Sequence, residues 1–375
     1  MAYLDHTATT PLEGEVLEAM LPFLTDAHGN PSSAHSFGRR AKEAMEAARA
    51  EVAEAAGAMA ARVIFTGGGS EANNLFLKGF AAISKPGRVA VSAIEHPSVS
   101  KAAASLPGWA LRRIAVDSRG KLDLADLDCV FSEPVSMISV MLANNETGII
   151  QDIAKIAARA KAAGVRMHTD AVQAFGKIPV DFAALGVQAM TLSAHKLGGP
   201  KGVGALILDK RLSISPLIDG GGQEFGLRSG TENVAGIVGF GAAARLAAVR
   251  MRAEQAALLK LRHRIEEALR ASGAVLFSGG PDCLPNTVYF SFPGIDGGTL
   301  VVELDRKGHA VASGSACASG ATEPSEVLLA MGVQPDIARG AVRVSLGKGC
   351  DPESVENFLI ALRSVTSGLL AILQD

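Results

Sequence analysis

Residues 62–83 read RVIFTGGGSEANNLFLKGFAAI. The first five, RVIFT (62–66), have the apolar, β-branched texture of a strand, GGGS (67–70) interrupts it, and a helix opens at EANNLFLKGFAAI. The same unit recurs along the chain. RVAVSAI (88–94) is a strand followed by the helix PSVSKAAASL (97–106), and MISVML (137–142) precedes NNETG and QDIAKIAARAKAAG. In that last segment Ile153, Ile156, Ala157 and Ala160 share one helical face. VRMHTD (165–170), AMTLSAH (189–195) and GALIL (204–208) close the series. Strands alternating with crossover helices predict an α/β fold with a mainly parallel sheet and helices on both faces.

Past residue 250 the texture changes. A helical pattern through Leu258, Leu261, Ile265 and Leu269 leads to TVYFSF, GTLVVELDRKG, HAVAS, VRVSLG and a final helix from Pro352. This predicts a smaller α+β domain, with the boundary inside the helical region 231–270. We assign 14–250 to a large domain, and 1–13 with 251–375 to a small one.

Composition bounds the function. Of 375 residues, 48% are hydrophobic and 20% charged, with a formal net charge of −2, which suits a globular chain with a large core. Near-neutral charge without Lys/Arg blocks argues against direct nucleic-acid binding. The 41 glycines fall in turns without a period, so collagen-like readings fail. The opening MAYLDHTATTPLEGE has no basic region followed by an apolar run, so no secretory signal is expected. In TENVAGIVGFGAAARLAAV (231–249), Glu232 and Arg245 bracket twelve uncharged residues, too few to span a bilayer. Cys129, Cys283, Cys317 and Cys350 show no metal-ligand spacing. A reduced, cytoplasmic enzyme without membrane attachment is the expectation.

In parallel α/β sheets ligands bind beyond the carboxyl ends of the strands. Here those ends read GGGSEANN, EHPSV, NNETG, HTDAVQ and SAHK, and they can converge on one crevice. GGGS at a helix start can cradle a phosphate, or be no more than a turn; it matches no nucleotide motif. Lys196 and Lys201 sit in the loop SAHKLGGPKGVG, and either can be a Schiff-base lysine or a solvated one. Asp170 can cap a turn or pair with a protonated ring nitrogen, as pyridoxal phosphate requires. His96 can cap the helix at Pro97 or stack on a planar cofactor. Arg343, charged within an apolar strand, can sit at the strand end or clamp a substrate carboxylate with two hydrogen bonds. His168 and His195 lack ligand spacing, so no metal site is expected. Taken together, the set describes a pyridoxal-phosphate enzyme acting on an amino acid.

At these residues the chain resembles the cysteine desulfurases of the NifS/IscS type, in the class V aminotransferase family. The resemblance runs through YLDHTATTP (3–11), GNPSSAHSFGR (29–39), FTGGGSEANN (65–74), EHPSV (95–99), NNETG (144–148), HTDAVQAFGK (168–177), SAHKLGGPKGVG (193–204), RSGTENV (228–234), SGSACASG (313–320) and VRVSLG (342–347). It implies the type I fold of pyridoxal-phosphate transferases, with a seven-stranded sheet in the large domain.

By resemblance Lys196, not Lys201, binds the cofactor aldehyde, and Gly69, Ser70, Ser193 and His195 hold its phosphate. Thr231 reaches the cofactor of a neighbouring subunit, implying a homodimer. Asp170 pairs with the ring nitrogen, Gln173 bonds the phenolic oxygen, and Asn145 lies between that oxygen and the substrate carboxylate on Arg343. His96 stacks on the ring. Cys317, in the long loop SGSACASGATEPSEV (313–327), is the nucleophile that takes sulfur from L-cysteine as a persulfide and releases L-alanine. The remaining cysteines are bystanders, Cys129 in the core, Cys283 and Cys350 in loops.

The resemblance implies no intrinsic metal, Cys317 being at most a transient ligand to an iron–sulfur cluster, and a sulfur-acceptor or iron–sulfur scaffold protein as partner. It departs at His6 and Thr7, where the family usually has Asn-Ala, and at ILQD, short of the extended tail that docks a scaffold in some members. A selenocysteine lyase or another class V enzyme such as an aminotransferase is the nearest alternative; a non-catalytic sulfur-relay partner would not need Lys196, Asp170 and Arg343.

Overall fold

A computed structural model describes residues 2–59, 61–314 and 323–372. The first strand, β1 (Ala2–Tyr3), belongs to the far end of the chain, as set out below. Seven strands then build the large sheet: β2 (Ala61–Thr66), β3 (Arg88–Ser92), β4 (Ala110–Ile114), β5 (Val135–Ser139), β6 (Arg166–Asp170), β7 (Ala189–Ser193) and β8 (Gly204–Asp209). Their order is β2-β8-β7-β6-β5-β3-β4. Only β8 runs against the rest, pairing antiparallel with both β2 and β7. Every residue of β7 is buried, as expected where helices cover both faces of a parallel sheet.

Each face has its own core. On one side Met45, Ala48 and Val52 of the helix Ser36–Ala55 pack with Ile156, Ile138 and Phe240. On the other, Leu75, Phe76 and Phe80 of the helix Gly69–Ile83 pack on Ile64, Val89 and Leu206. A fully buried Phe76 or Phe240 contributes on the order of 2 kcal/mol by removal from water. The helix thus starts inside the glycine run, at Gly69, two residues before the sequence pattern places it. Gly68 takes φ 149° to turn the chain there, a conformation that L side chains rarely adopt. β4 escaped the sequence pattern because it is an edge strand whose two arginines break its apolar run.

The second sheet has four short strands in the order β12-β13-β10-β9: β9 (Val275–Leu276), β10 (Thr287–Ser291), β12 (Ala312–Ser313) and β13 (Ala341–Ser345). Separately, β11 (His309–Ala310) pairs in parallel with β1, and Asp5 bridges to Ser345. The N-terminal arm is thereby tied to the last third of the chain. Behind this sheet lies an apolar core built from Leu300 and Leu304 of the helix Gly297–Arg306, with Phe358 and Leu362 of the helix Pro352–Ile372.

One continuous helix, Val234–Ala271, crosses residue 250. It is long and apolar enough by composition to cross a membrane, yet Ile237, Phe240, Ala243, Ala244 and Leu246 are buried inside the protein. It packs on the helices Gly14–Leu24 and Ser36–Ala55. This is a core helix.

Candidate active site

The strands β3, β5, β6 and β7 run in parallel, so their carboxyl ends share one edge of the sheet. A cleft of about 210 Å³ opens there. Gly69, Ser70, His96, Asn145 and Asp170 line it, with Gln173, Ser193, His195 and Lys196. Nine of the residues singled out in the sequence therefore meet in one place. A neighbouring opening is bounded by Gly67–Glu71, Ser193, His195 and Lys201. Lys201 thus stands at the glycine run, and Lys196 faces Asp170 and His96.

Asp170 is buried at the last position of β6. Its Oδ2 accepts from Asn73 Nδ2 at 2.7 Å, and its Oδ1 from the Val172 amide at 2.9 Å. Asn73 also donates to Ser98 Oγ at 2.9 Å. Asn73 was not singled out in the sequence, although its place one helical turn beyond Gly69 puts both on the same face.

His96 does cap the helix Pro97–Ala104: its Nδ1 accepts from the Ser98 amide at 3.1 Å. That bond leaves any ring proton on Nε2. Burial lowers the His96 pKa, against the opposing pull of Asp170.

Lys196 follows β7 in a single 3₁₀ turn, Ala194–Lys196. Its Nζ donates to the carbonyls of Thr7 and Ala8, each at 2.6 Å. Burial and the Arg343 cation bring its pKa down from 10.5 to about 8, although Asp5 and Asp170 pull it back up. The same burial, with Lys196, Lys201 and Lys177 nearby, drops His195 to about 4, leaving a neutral imidazole. Of the departure at His6 and Thr7, it is Thr7 that reaches this site. Thr7 is buried, and its carbonyl accepts from both Lys196 and Gln173 Nε2.

Arg343, from the middle of β13, is buried. It donates to the Asn145 carbonyl and to Asp5 Oδ1, both at 2.8 Å, while its Nε has no partner among the described residues. Asn145 is presented by a turn in which Asn144 Oδ1 accepts from the Glu146 and Thr147 amides at 2.9 Å.

Cys317 lies outside the described residues. Its flanks do not: the Gly314 amide donates to the Ala341 carbonyl at 2.8 Å, and Ser325 Oγ and Tyr289 Oη both donate to Glu146 Oε2. Both flanks are thus held beside β13 and the Asn145 turn. Thr231 is exposed and is not part of the cleft lining in its own chain. One expectation fails on the other cysteines: Cys129 is exposed on the helix Leu124–Phe131 instead of joining the core. Cys283 does lie in a loop, between β9 and β10, and is buried there with its thiol against the Thr147 carbonyl.

Residues 2–358 match the class V aminotransferase family. The cysteine desulfurase IscS of Dictyoglomus turgidum is 42% identical, over 99% of this chain and 95% of its own. A NifS-like protein from Rickettsia africae has a solved structure at TM-score 0.91 and 35% identity, covering 98% of this chain and 99% of the other. The solved structure of SspA in complex with cysteine matches at TM-score 0.79 and 31% identity, covering 92% and 99%. The chain belongs to the class V aminotransferases, among the cysteine desulfurases, and is a pyridoxal-phosphate enzyme of that family.

The cleft fits that cofactor. Ser193 Oγ is buried with no partner among the described residues, beside the start of the helix Gly69–Ile83. A Cβ at Gly69 would come within 2.9 Å of Val172, so only glycine lets the backbone lie this close. That end suits a phosphate. Asp170 suits a ring nitrogen, Gln173 Nε2 an anionic ring oxygen, and the Lys196 amine an aldehyde.

Proposed function

We propose that the chain converts L-cysteine to L-alanine and keeps the sulfur as a persulfide on Cys317. The balance is L-cysteine plus the Cys317 thiol giving L-alanine plus Cys317–S–SH. The carbon–sulfur bond of the substrate breaks, a sulfur–sulfur bond forms, and the leaving sulfur is replaced on carbon by hydrogen. Pyridoxal phosphate, held by Gly69, Ser70, Ser193, His195, Asp170, Gln173 and Lys196, supplies the electron sink that makes this break accessible.

The remaining work falls to the chain. Arg343 clamps the substrate carboxylate, and its present bond to the Asp5 carboxylate supports that role. Asn145, tethered to Arg343 through its carbonyl, sets the distance between that clamp and the ring edge. Lys196 Nζ, with a pKa near 8, can hold or release a proton at working pH. His96, neutral and fixed through Nδ1, offers Nε2 as a proton donor. The Cys317 thiolate attacks the substrate sulfur.

The observation that carries the reading is the meeting of Lys196, Asp170 and His96 in one cleft, with Arg343 bonded to its rim residue Asn145. The persulfide then passes to a thiol of an acceptor protein, an iron–sulfur scaffold among the candidates. Exposure of Thr231 outside its own cleft supports action across a homodimer.

Mass spectrometry of protein mixed with L-cysteine tests the reading. We expect an adduct of about 32 Da, one sulfur atom, on Cys317, with alanine released. Cys317→Ser should keep the yellow colour and lose alanine production. An aminotransferase would turn over normally in that variant and overturn the proposal.

A further inference from the structure

Lys177 has no role in the mechanism above, yet it touches it. It lies in the turn after β6, four residues beyond Gln173, and its Nζ donates to Gln173 Oε1 at 2.9 Å. The Thr7 carbonyl can only accept, so the amide end bonded to it, at 3.2 Å, is Nε2, whatever the charge on Lys177. Oε1 points to Lys177. Gln173 itself is buried and lines the cleft. We infer that Lys177 is a positioning residue for the cofactor: it fixes Gln173 as a hydrogen-bond donor into the cleft and sets a positive charge behind that donor. The inference rests on the pyridoxal-phosphate reading of the cleft.

The surroundings give the charge its leverage. Lys177 and Lys196 both line a second cavity of about 330 Å³, on whose wall His6 also lies. The other cations there are neutralised: Lys348 pairs with Glu13, and Arg250 with Glu13 and Glu15. Glu254 completes the charged wall. From the cleft side the charges of Lys196 and, from β13, Arg343 act on Lys177. Burial, then these two cations, push it down to about 7. An anionic ring oxygen on Gln173 works in the opposite direction. Linkage makes the effect mutual: the Lys177 charge favours the ionised oxygen as much as that oxygen favours the charge.

The test is a pH titration of the bound cofactor's colour in the purified holoenzyme, with cofactor loss on dialysis as a second readout. Removing the cation lets the chromophore keep its proton to higher pH. In Lys177→Met the midpoint should rise by about one pH unit, a tenfold change in the proton equilibrium, with faster cofactor loss. Lys177→Arg should restore most of it. Gln173→Leu should give a similar shift, and Lys177→Met should add little in that background. An unchanged midpoint in Lys177→Met overturns the inference. So does a full further shift on the Gln173→Leu background, since the charge would then act without the amide. A wild type with no Lys196-dependent colour would instead sink the cofactor reading itself.

Discussion

The two sheets deliver their functional groups in different ways. The large sheet uses its edge: Asp170 and Ser193 are terminal residues of β6 and β7, and His96 and Asn145 lie a few residues past β3 and β5. The four-stranded sheet delivers Arg343 from the centre of β13, a strand whose every residue is buried. At the edge, backbone amides and neighbouring side chains satisfy the polar groups, and the loops absorb their cost. In mid-strand the guanidinium is tolerable only because Asn145 and Asp5, from distant parts of the chain, meet it. A site at a strand end is largely local; a site within a strand is an agreement between distant segments of the chain.

Between these two sheets, Arg343→Ala should therefore break the contrast most sharply. It removes the carboxylate clamp and leaves Asp5 unpaired, and kcat/KM for L-cysteine should fall about 10²–10³-fold, within the range for breaking a hydrogen-bonded charge pair. Arg343→Lys should recover only part, because a point charge cannot replace the fork. If the lysine variant matched wild type, the mid-strand position would carry no special geometry.

Leu300→Ala probes the apolar core behind the same sheet. Leu300 is fully buried, and the cavity should cost about 2–5 kcal/mol in denaturant unfolding. Per folded molecule, turnover and absorbance should stay as in wild type. A lasting change in KM would show that the apolar core, and not only Asn145 and Asp5, sets the Arg343 position.

The contrast also explains what could be read in advance. Strand ends are legible because a polar cluster interrupts an apolar run, and this alone points to the crevice around Asp170, Ser193 and Lys196. Choosing Lys196 over Lys201 needed the family resemblance, since both occupy one glycine-rich loop. Asn73, Asp5 and Lys177 were not singled out, because each reads as an ordinary helix, arm or loop residue until the fold brings it against a partner. Cys129 misled for a related reason. LDCVF looks apolar enough for a core, but on the short helix Leu124–Phe131 only Leu127 and Val130 turn inward.

Cofactor uptake by protein freed of pyridoxal phosphate, followed by absorbance against pH, tests the account most directly. Only the neutral amine attacks an aldehyde, and burial with Arg343 places the Lys196 pKa near 8 instead of 10.5. The rate should rise about tenfold per pH unit below 8 and level off above it, and Lys196→Ala should take up no yellow cofactor. A rate that climbs unbroken towards pH 10, or colour that persists in Lys196→Ala, would contradict it.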